Sequence, residues 1–176
     1  MRRIWAVRVL AVIAVLGLTV VSTSADQGSN ASAKAKLSGF SEVTPKLTNG
    51  TGIFSATING GTLTYKLTFS DLTSPAFMSH IHFGQPAVNG GIFLWLCGSA
   101  SSPGPAGTPT CPPDGGTVTR SGVTAADIQA VGTQNLTAGD FAAALSILSG
   151  GVAYVNVHTI NFPSGEIRGF VRSSED

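Results

Sequence analysis

Apolar and polar residues alternate along most of this chain, the pattern of β-strands that turn one face to a core. The alternation is clearest over residues 62–69, where every second side chain is large and apolar. Two further alternating runs, 153–159 and 165–171, flank a short turn-rich segment at 161–164. We therefore predict a hairpin near the C-terminus. Gly91–Cys97 is apolar throughout, which predicts a strand covered on both faces.

The remaining runs complete a mainly β fold. Further strands are predicted at 36–43, 53–58, 77–83 and 116–122. Two helical segments, at 124–128 and 137–148, each start with Thr and carry Asp three residues later, a variant of the capping box. We expect an antiparallel β-sandwich or barrel of about eight strands, with a short helical insertion before the C-terminal hairpin.

The N-terminus has the features of a secretory signal peptide. Arginines at positions 2, 3 and 8 accompany an apolar run that ends in Ser22-Thr23-Ser24-Ala25. The run is too short to span a membrane comfortably, so we predict cleavage after Ala25 and a secreted or periplasmic protein. Residues 26–35 are predicted to be a flexible lead and 36–172 a single β domain, with no membrane span after cleavage.

Charge gives no sign of a nucleic-acid partner. Beyond Ala25 the chain has seven Lys or Arg against nine Asp or Glu, a net charge near −2 without charge runs. The prediction is therefore a module that binds neither nucleic acid nor a membrane surface and whose protein partner is unknown.

The two cysteines, Cys97 and Cys111, are predicted to form a disulfide because an exported chain meets an oxidising environment. The bond would close a loop of about 15 residues and stabilise the fold by about 3 kcal/mol. The alternative, two thiolate metal ligands, fits no usual zinc spacing.

The three histidines of the chain are the main candidates for chemistry. His80 and His82 share one face of a predicted strand, and His158 lies in the C-terminal hairpin. If the two strands are neighbours, three imidazoles can bind copper or, as a second choice, zinc. Glu166 is the candidate for a fourth ligand or for a residue that orients a ligand.

A purely structural interpretation stays open. Histidines on strands often donate hydrogen bonds to carbonyl or carboxylate oxygens, and here Glu166 or Asn156 could accept them. Tyr154 and Trp95 are predicted to be core residues.

Several motifs together resemble the CHRD domain family, the module repeated in chordin and found singly in many secreted bacterial proteins. The resemblance extends from about Lys36 to Arg172, and the motifs are Leu37-Ser38-Gly39-Phe40-Ser41-Glu42-Val43-Thr44-Pro45, His80-Ile81-His82, Asn89-Gly90-Gly91, Tyr154-Val155-Asn156-Val157-His158-Thr159 and Gly165-Glu166-Ile167-Arg168-Gly169. It implies an extracellular β module, and the segment around Cys97–Cys111 is an insertion relative to a minimal CHRD module. A single copy does not imply chordin's antagonism of growth factors.

The function expected from these residues is a non-enzymatic binding module with a copper or zinc site at His80, His82 and His158. The alternative is a structural or adhesive extracellular domain without metal. No phosphate loop or nucleophile elbow occurs in the sequence, and a metal-dependent oxidoreductase is the third and last choice. The strand with His80 and His82 is similar to the copper-binding strand of Cu/Zn superoxide dismutases, but three histidines are too few for that enzyme's two metal sites.

Overall fold

A computed structural model describes residues 31–175, which form nine β-strands and one α-helix. The predicted signal peptide, residues 1–25, lies outside the described residues. The elements are β1 (Ala31–Ser38), β2 (Thr51–Asn59), β3 (Thr62–Ser70), β4 (Ala76–Phe83), β5 (Gly91–Cys97), β6 (Gly116–Val123), α1 (Phe141–Ser149), β7 (Ala153–Thr159), β8 (Ile167–Phe170) and β9 (Arg172–Glu175).

All strands belong to one antiparallel sheet that curls into a nearly closed barrel. The strand order is β5-β4-β7-β8-β1-β2-β3-β6, and β9 continues from β8 to pair with β1. The helix precedes the C-terminal strands. The predicted mainly β class, with about eight strands and a helical insertion, is confirmed.

The β2–β3 hairpin shows how sequence alternation builds this barrel. The two strands pair without interruption from Thr51 opposite Ser70 to Asn59 opposite Thr62. Their alternate side chains, which include Phe54 on β2 and Leu67 on β3, are fully buried in the core. The residues between them point to solvent, so one face is apolar and the other polar.

The first strand lies earlier than predicted, at Ala31–Ser38 rather than at 36–43. Its buried face is made of Ala33, Ala35 and Leu37, and small alanines give a weak hydrophobic signal. Pairing with β2 along its whole length holds the strand. The segment 31–35, which we had assigned to a flexible lead, is therefore part of the sheet.

The α-helix also begins later than predicted, at Phe141 instead of Thr137. Asp140 is its N-cap and accepts a hydrogen bond from the backbone N–H of Ala143 at 2.9 Å. The shorter predicted segment is a single 3-10 turn, Ala125–Asp127, with the expected capping box between Thr124 and Asp127.

The disulfide between Cys97 and Cys111 is confirmed. It joins the end of β5, one edge of the sheet, to the segment that leads into β6, the other edge. The bond therefore fastens the long connection that crosses between the two edges of the barrel. Among residues 31–175, no helix is both long and apolar enough to cross a membrane.

Candidate metal centre

The two strands that carry the histidines are neighbours in the sheet. In the β4–β7 pairing, His80 lies opposite Asn156 and His82 opposite Tyr154, while Met78 lies opposite His158. On β7, Ala153, Val155 and Val157 belong to the hydrophobic core. Tyr154, Asn156 and His158 therefore point away from the core, because side chains alternate along a strand.

This outward-pointing face is nevertheless buried, because loops cover it. His80 is fully buried, and His82 and His158 are 7% and 5% exposed. The loop after β4 contacts His82 through Gly90, and the β7–β8 connection contacts His158 through Pro163. The site is thus a closed compartment on the outside of the barrel wall.

The three imidazoles converge. Nδ1 of His80 lies 3.2 Å from Nε2 of His158, and one ring nitrogen from each histidine lies within 4.8 Å of the other two. Nitrogens bound to one zinc ion, at about 2.0–2.1 Å from it, would be roughly 3–4 Å apart. The pair His80–His158 already meets this distance.

Backbone carbonyls determine which nitrogen of two rings carries the proton. Nδ1 of His82 donates to the carbonyl oxygen of Gly90, and Nδ1 of His158 donates to that of Pro163, both at 2.9 Å. A neutral imidazole that donates from Nδ1 has a lone pair on Nε2. A carbonyl bond on the second nitrogen is the usual way proteins orient a metal-binding histidine.

Both Nε2 lone pairs point at the same oxygen. The Asn156 Oδ1 atom lies 3.0 Å from Nε2 of His82 and 2.9 Å from Nε2 of His158. Three acceptors that face one another repel, and a cation between them would remove the repulsion. In addition, Nε2 of His80 is buried without any hydrogen-bond partner. The donor set therefore fits a metal ion that prefers nitrogen ligands.

Burial keeps the rings neutral. Burial, together with the neighbouring His158 and His82, lowers the pKa of His80 to about 2. Burial lowers the pKa of His158 to about 4, although its bond to Pro163 opposes the shift. Burial also lowers the pKa of His82 against the opposing bonds to Gly90 and Asn156. Neutral imidazole is the form that binds metals.

Each histidine packs against an aromatic ring of its own. The Trp95 ring meets His80 edge-on at 4.2 Å between centroids, and Tyr154 stacks in parallel on His82 at 4.6 Å. Phe77 is 6.3 Å from His158. The sequence predicts Trp95 and Tyr154 to be core residues. Tyr154 is buried and Trp95 is partly buried, but both rings, like that of Phe77, pack against the histidines and do not belong to the main apolar cluster.

A buried ion pair, which the sequence did not reveal, lies behind the histidines. Arg168 on β8 is the cross-strand neighbour of Asn156, and its Nε is 3.1 Å from Oε2 of Glu42. Burial raises the pKa of Glu42, whereas the charge of Arg168 opposes that rise. The predicted hairpin places Arg168 opposite Asn156, so the position of Arg168 could have been predicted from the sequence. The position of Glu42 could not, because Glu42 comes from a distant segment of the chain.

Arg168 also ties down the loop that covers His82. Its terminal nitrogens donate to the Asn89 side chain at 2.6 Å and to the Val88 carbonyl at 3.3 Å. Its guanidinium carbon lies 3.9 Å from the centroid of the Tyr154 ring, a cation–π contact. The next residue of the loop, Gly90, donates its N–H to the Tyr154 hydroxyl.

Glu166 is not brought to the histidines. Its carboxylate accepts hydrogen bonds from the hydroxyls of Thr48, Thr73 and Thr159 and from the Thr73 backbone N–H, at 2.6–2.9 Å. These bonds outweigh the effect of burial and lower the pKa of Glu166. Instead of ligating or orienting a histidine, Glu166 fastens two loops to the end of β7. Asn156, the other predicted acceptor for the histidines, is the one that contacts them.

Comparison with protein families gives one match. A family model described as CHRD domain matches residues 33–171, which is most of the chain. Comparisons with curated proteins and with solved structures found no match.

Proposed function

Because this chain belongs to the CHRD domain family, we propose that it is an extracellular binding module that holds a copper or zinc ion between His80, His82 and His158. CHRD domains are non-enzymatic modules and are generally extracellular. The family thus supports a binding role outside the cytosol. The metal site, its ligands and the absence of catalysis in this chain are our own proposals.

One observation carries the metal site. Two backbone carbonyls hold the protons of His82 and His158 on Nδ1, so both Nε2 lone pairs face the Oδ1 atom of Asn156, at 3.0 and 2.9 Å. A buried histidine without a metal would gain stability by donating from Nε2 to that oxygen, which the carbonyl contacts prevent. His80 adds a third ligand, since its Nδ1 lies 3.2 Å from Nε2 of His158.

Export is the second part of the proposal. The sequence features of residues 1–25 and the Cys97–Cys111 disulfide both suit a secreted or periplasmic protein. We propose cleavage after Ala25. Expression of the full chain in a secreting host should yield an extracytoplasmic protein whose first residue is Asp26. A cytoplasmic product that retains Met1 would contradict this part without touching the metal site.

The alternative function is a structural or adhesive domain in which the histidines serve hydrogen bonding alone. The bonds of His82 and His158 to loop carbonyls favour it, because they fasten both covering loops. A metal bound at the Nε2 atoms would leave these bonds to the loops in place. The two functions therefore differ in one measurable respect, whether the purified protein binds a metal ion.

Metal titration of the purified protein tests the proposal. We expect the wild-type protein to bind one copper or zinc ion per chain, measured by calorimetry and by metal analysis after gel filtration. His82→Ala should abolish stoichiometric binding because it removes one of three ligands.

The matched control is Glu166→Gln, which changes another buried polar residue of the same hairpin. It should retain one ion per chain, and circular dichroism should show that both variants are folded. Absence of bound metal in the wild-type protein would refute the site, and equal binding by the wild type and His82→Ala would refute its ligands.

A further inference from the structure

The proposed metal site carries no negative charge of its own. Its donors are three neutral imidazoles and the neutral amide of Asn156. Within residues 31–175, the group of side chains that could hold a metal contains no carboxylate. The two buried carboxylates on this side of the barrel are already engaged, Glu42 by Arg168 and Glu166 by threonines.

Burial makes the charge of the bound ion decisive. The three histidines are at most 7% exposed, so an ion between them would lose its hydration. The cost of transferring an ion from water into a poorly polarisable interior scales with the square of its charge. The desolvation free energy of a divalent ion in this neutral compartment would therefore be about four times that of a monovalent ion.

The charged side chains nearby form an ion pair. The Arg168 guanidinium lies on one face of Tyr154 at 3.9 Å, and the Tyr154 ring also stacks on His82 at 4.6 Å. Glu42 pairs with Arg168 and lies beside Asn156, so the two charges offset each other next to the site. The surroundings therefore supply no net negative charge to balance a divalent ion.

The number of ligands suits either ion. Zinc in proteins is almost always four-coordinate, and its sites complete the set with a protein ligand or water. Here Trp95, Tyr154 and Phe77 pack against the three rings, and the oxygen of Asn156 is the one further donor between them. The three imidazoles and this oxygen could complete the four ligands of zinc, whereas Cu(I) is satisfied by the three nitrogen ligands alone.

We propose that the resident ion is monovalent copper, and that the site prefers Cu(I) to both Zn(II) and Cu(II). This inference rests on the proposed metal site and specifies its ion. The neutral donors and their burial favour an ion of small charge. No electron transfer by this protein is implied, since the ion binds in its reduced state.

Competition between ions tests the preference. The wild-type protein would be loaded with one equivalent of Cu(I) without oxygen, in ascorbate, and its affinity measured against a chromophoric Cu(I) chelator. A tenfold excess of Zn(II) should displace less than a tenth of the copper. Oxidation of the bound ion to Cu(II) should weaken binding by at least a hundredfold.

Two variants of one residue test the cause. Asn156→Asp adds a negative charge next to both Nε2 atoms and should shift the ratio of Zn(II) to Cu(I) affinity at least tenfold towards zinc. Asn156→Ala removes the same oxygen without adding charge and should leave Cu(I) ahead of Zn(II), even if both bind more weakly. Folding of each is checked by circular dichroism.

The outcomes separate this inference from the proposed function. If the wild-type protein binds Zn(II) more tightly than Cu(I), the metal site stands and the preference for monovalent copper is wrong. If neither ion binds, the proposed function itself fails. An unchanged zinc-to-copper ratio in folded Asn156→Asp would show that charge is not the cause.

Discussion

The β2–β3 hairpin and the β4–β7 pair belong to the same sheet but treat their outer faces in opposite ways. In β2 and β3, exposed polar residues alternate with buried apolar ones, and the outer face meets solvent. In β7 every residue is buried, and its outer face carries Tyr154, Asn156 and His158 under two loops. The same sheet therefore has a solvent-exposed outer face at β2–β3 and, at β4–β7, a site where loops exclude water from polar side chains.

The comparison separates two kinds of stabilisation. Apolar packing stabilises the β2–β3 side, so substitutions there should change stability without changing metal binding. On the β4–β7 side, the same buried polar groups hold the fold together and shape the site. Substitutions there should change both properties, and the following predictions run from the largest expected effect to the smallest.

Loss of the buried guanidinium should have the largest effect. Arg168→Met leaves Glu42 as an unpaired buried charge and releases the loop bonds to Val88 and Asn89. We expect a loss of about 3–5 kcal/mol in the free energy of unfolding, measured by urea denaturation. The control Lys66→Met changes an exposed cation of β3 and should stay within about 0.5 kcal/mol of the wild type. Similar losses in the two variants would contradict the distinction.

Removal of the disulfide should come next. The double substitution Cys97→Ala and Cys111→Ala frees a loop with a sequence separation of 14 residues and should cost about 3 kcal/mol on the chain-entropy model. Thermal unfolding would measure the loss. Because the disulfide joins the two sheet edges and does not contact the histidines, the variant should still bind one metal ion per chain. Loss of metal binding in the variant would show that the sheet edges also shape the site.

Acid should destabilise the metal-free protein through its histidines. Their pKa values are lowered in the folded state, so the unfolded chain binds more protons as the pH falls below the ordinary value of 6.5. Stability should be fully present above pH 6.5 and decline towards pH 4. The shift for His158 alone, from 6.5 to about 4, corresponds to on the order of 3 kcal/mol.

Urea midpoints measured from pH 7.5 to pH 4 would test this decline. The charged groups close to the rings are Arg168, whose charge also lowers the pKa of His82 and His158, and Glu42, which pairs with it. A His158→Gln variant should show a shallower decline than the wild type. An identical slope would mean that other groups cause it.

Two buried tyrosines provide the finest comparison. Tyr65 on β3 donates to the Leu96 carbonyl, and the hydroxyl of Tyr154 on β7 accepts from the Gly90 N–H. Each substitution to Phe should cost about 1 kcal/mol in the free energy of unfolding. Tyr154→Phe should also weaken metal binding several-fold, because Gly90 orients His82, whereas Tyr65→Phe should not. Equal metal affinities in both variants would remove the link between loop and site.

Sequence reasoning succeeded where the period of two applied. That period put His80 and His82 on one face and predicted the β7–β8 hairpin with His158, and the neighbouring strands brought them together. It failed at β1, whose small alanines hide the alternation, and at the N-terminus of α1, where Asp140 rather than Thr137 caps the helix.

The surroundings of the histidines were harder to predict because they depend on contacts between distant segments. Glu42 meets Arg168 across 126 positions of the sequence, and Gly90 and Pro163 act through backbone carbonyls that no side-chain pattern reveals. The same limit misplaced Glu166, which threonines from two other loops hold away from the rings.

The central claim is that the Nε2 atoms of His82 and His158 are free to bind a metal. Nitrogen-15 NMR of the labelled protein measures this directly, since it distinguishes protonated, unprotonated and metal-bound ring nitrogens. We predict that both rings carry their proton on Nδ1 in the metal-free protein, and that one equivalent of Cu(I) or Zn(II) shifts both Nε2 signals. Protons on Nε2, or spectra unchanged by either ion, would contradict the account.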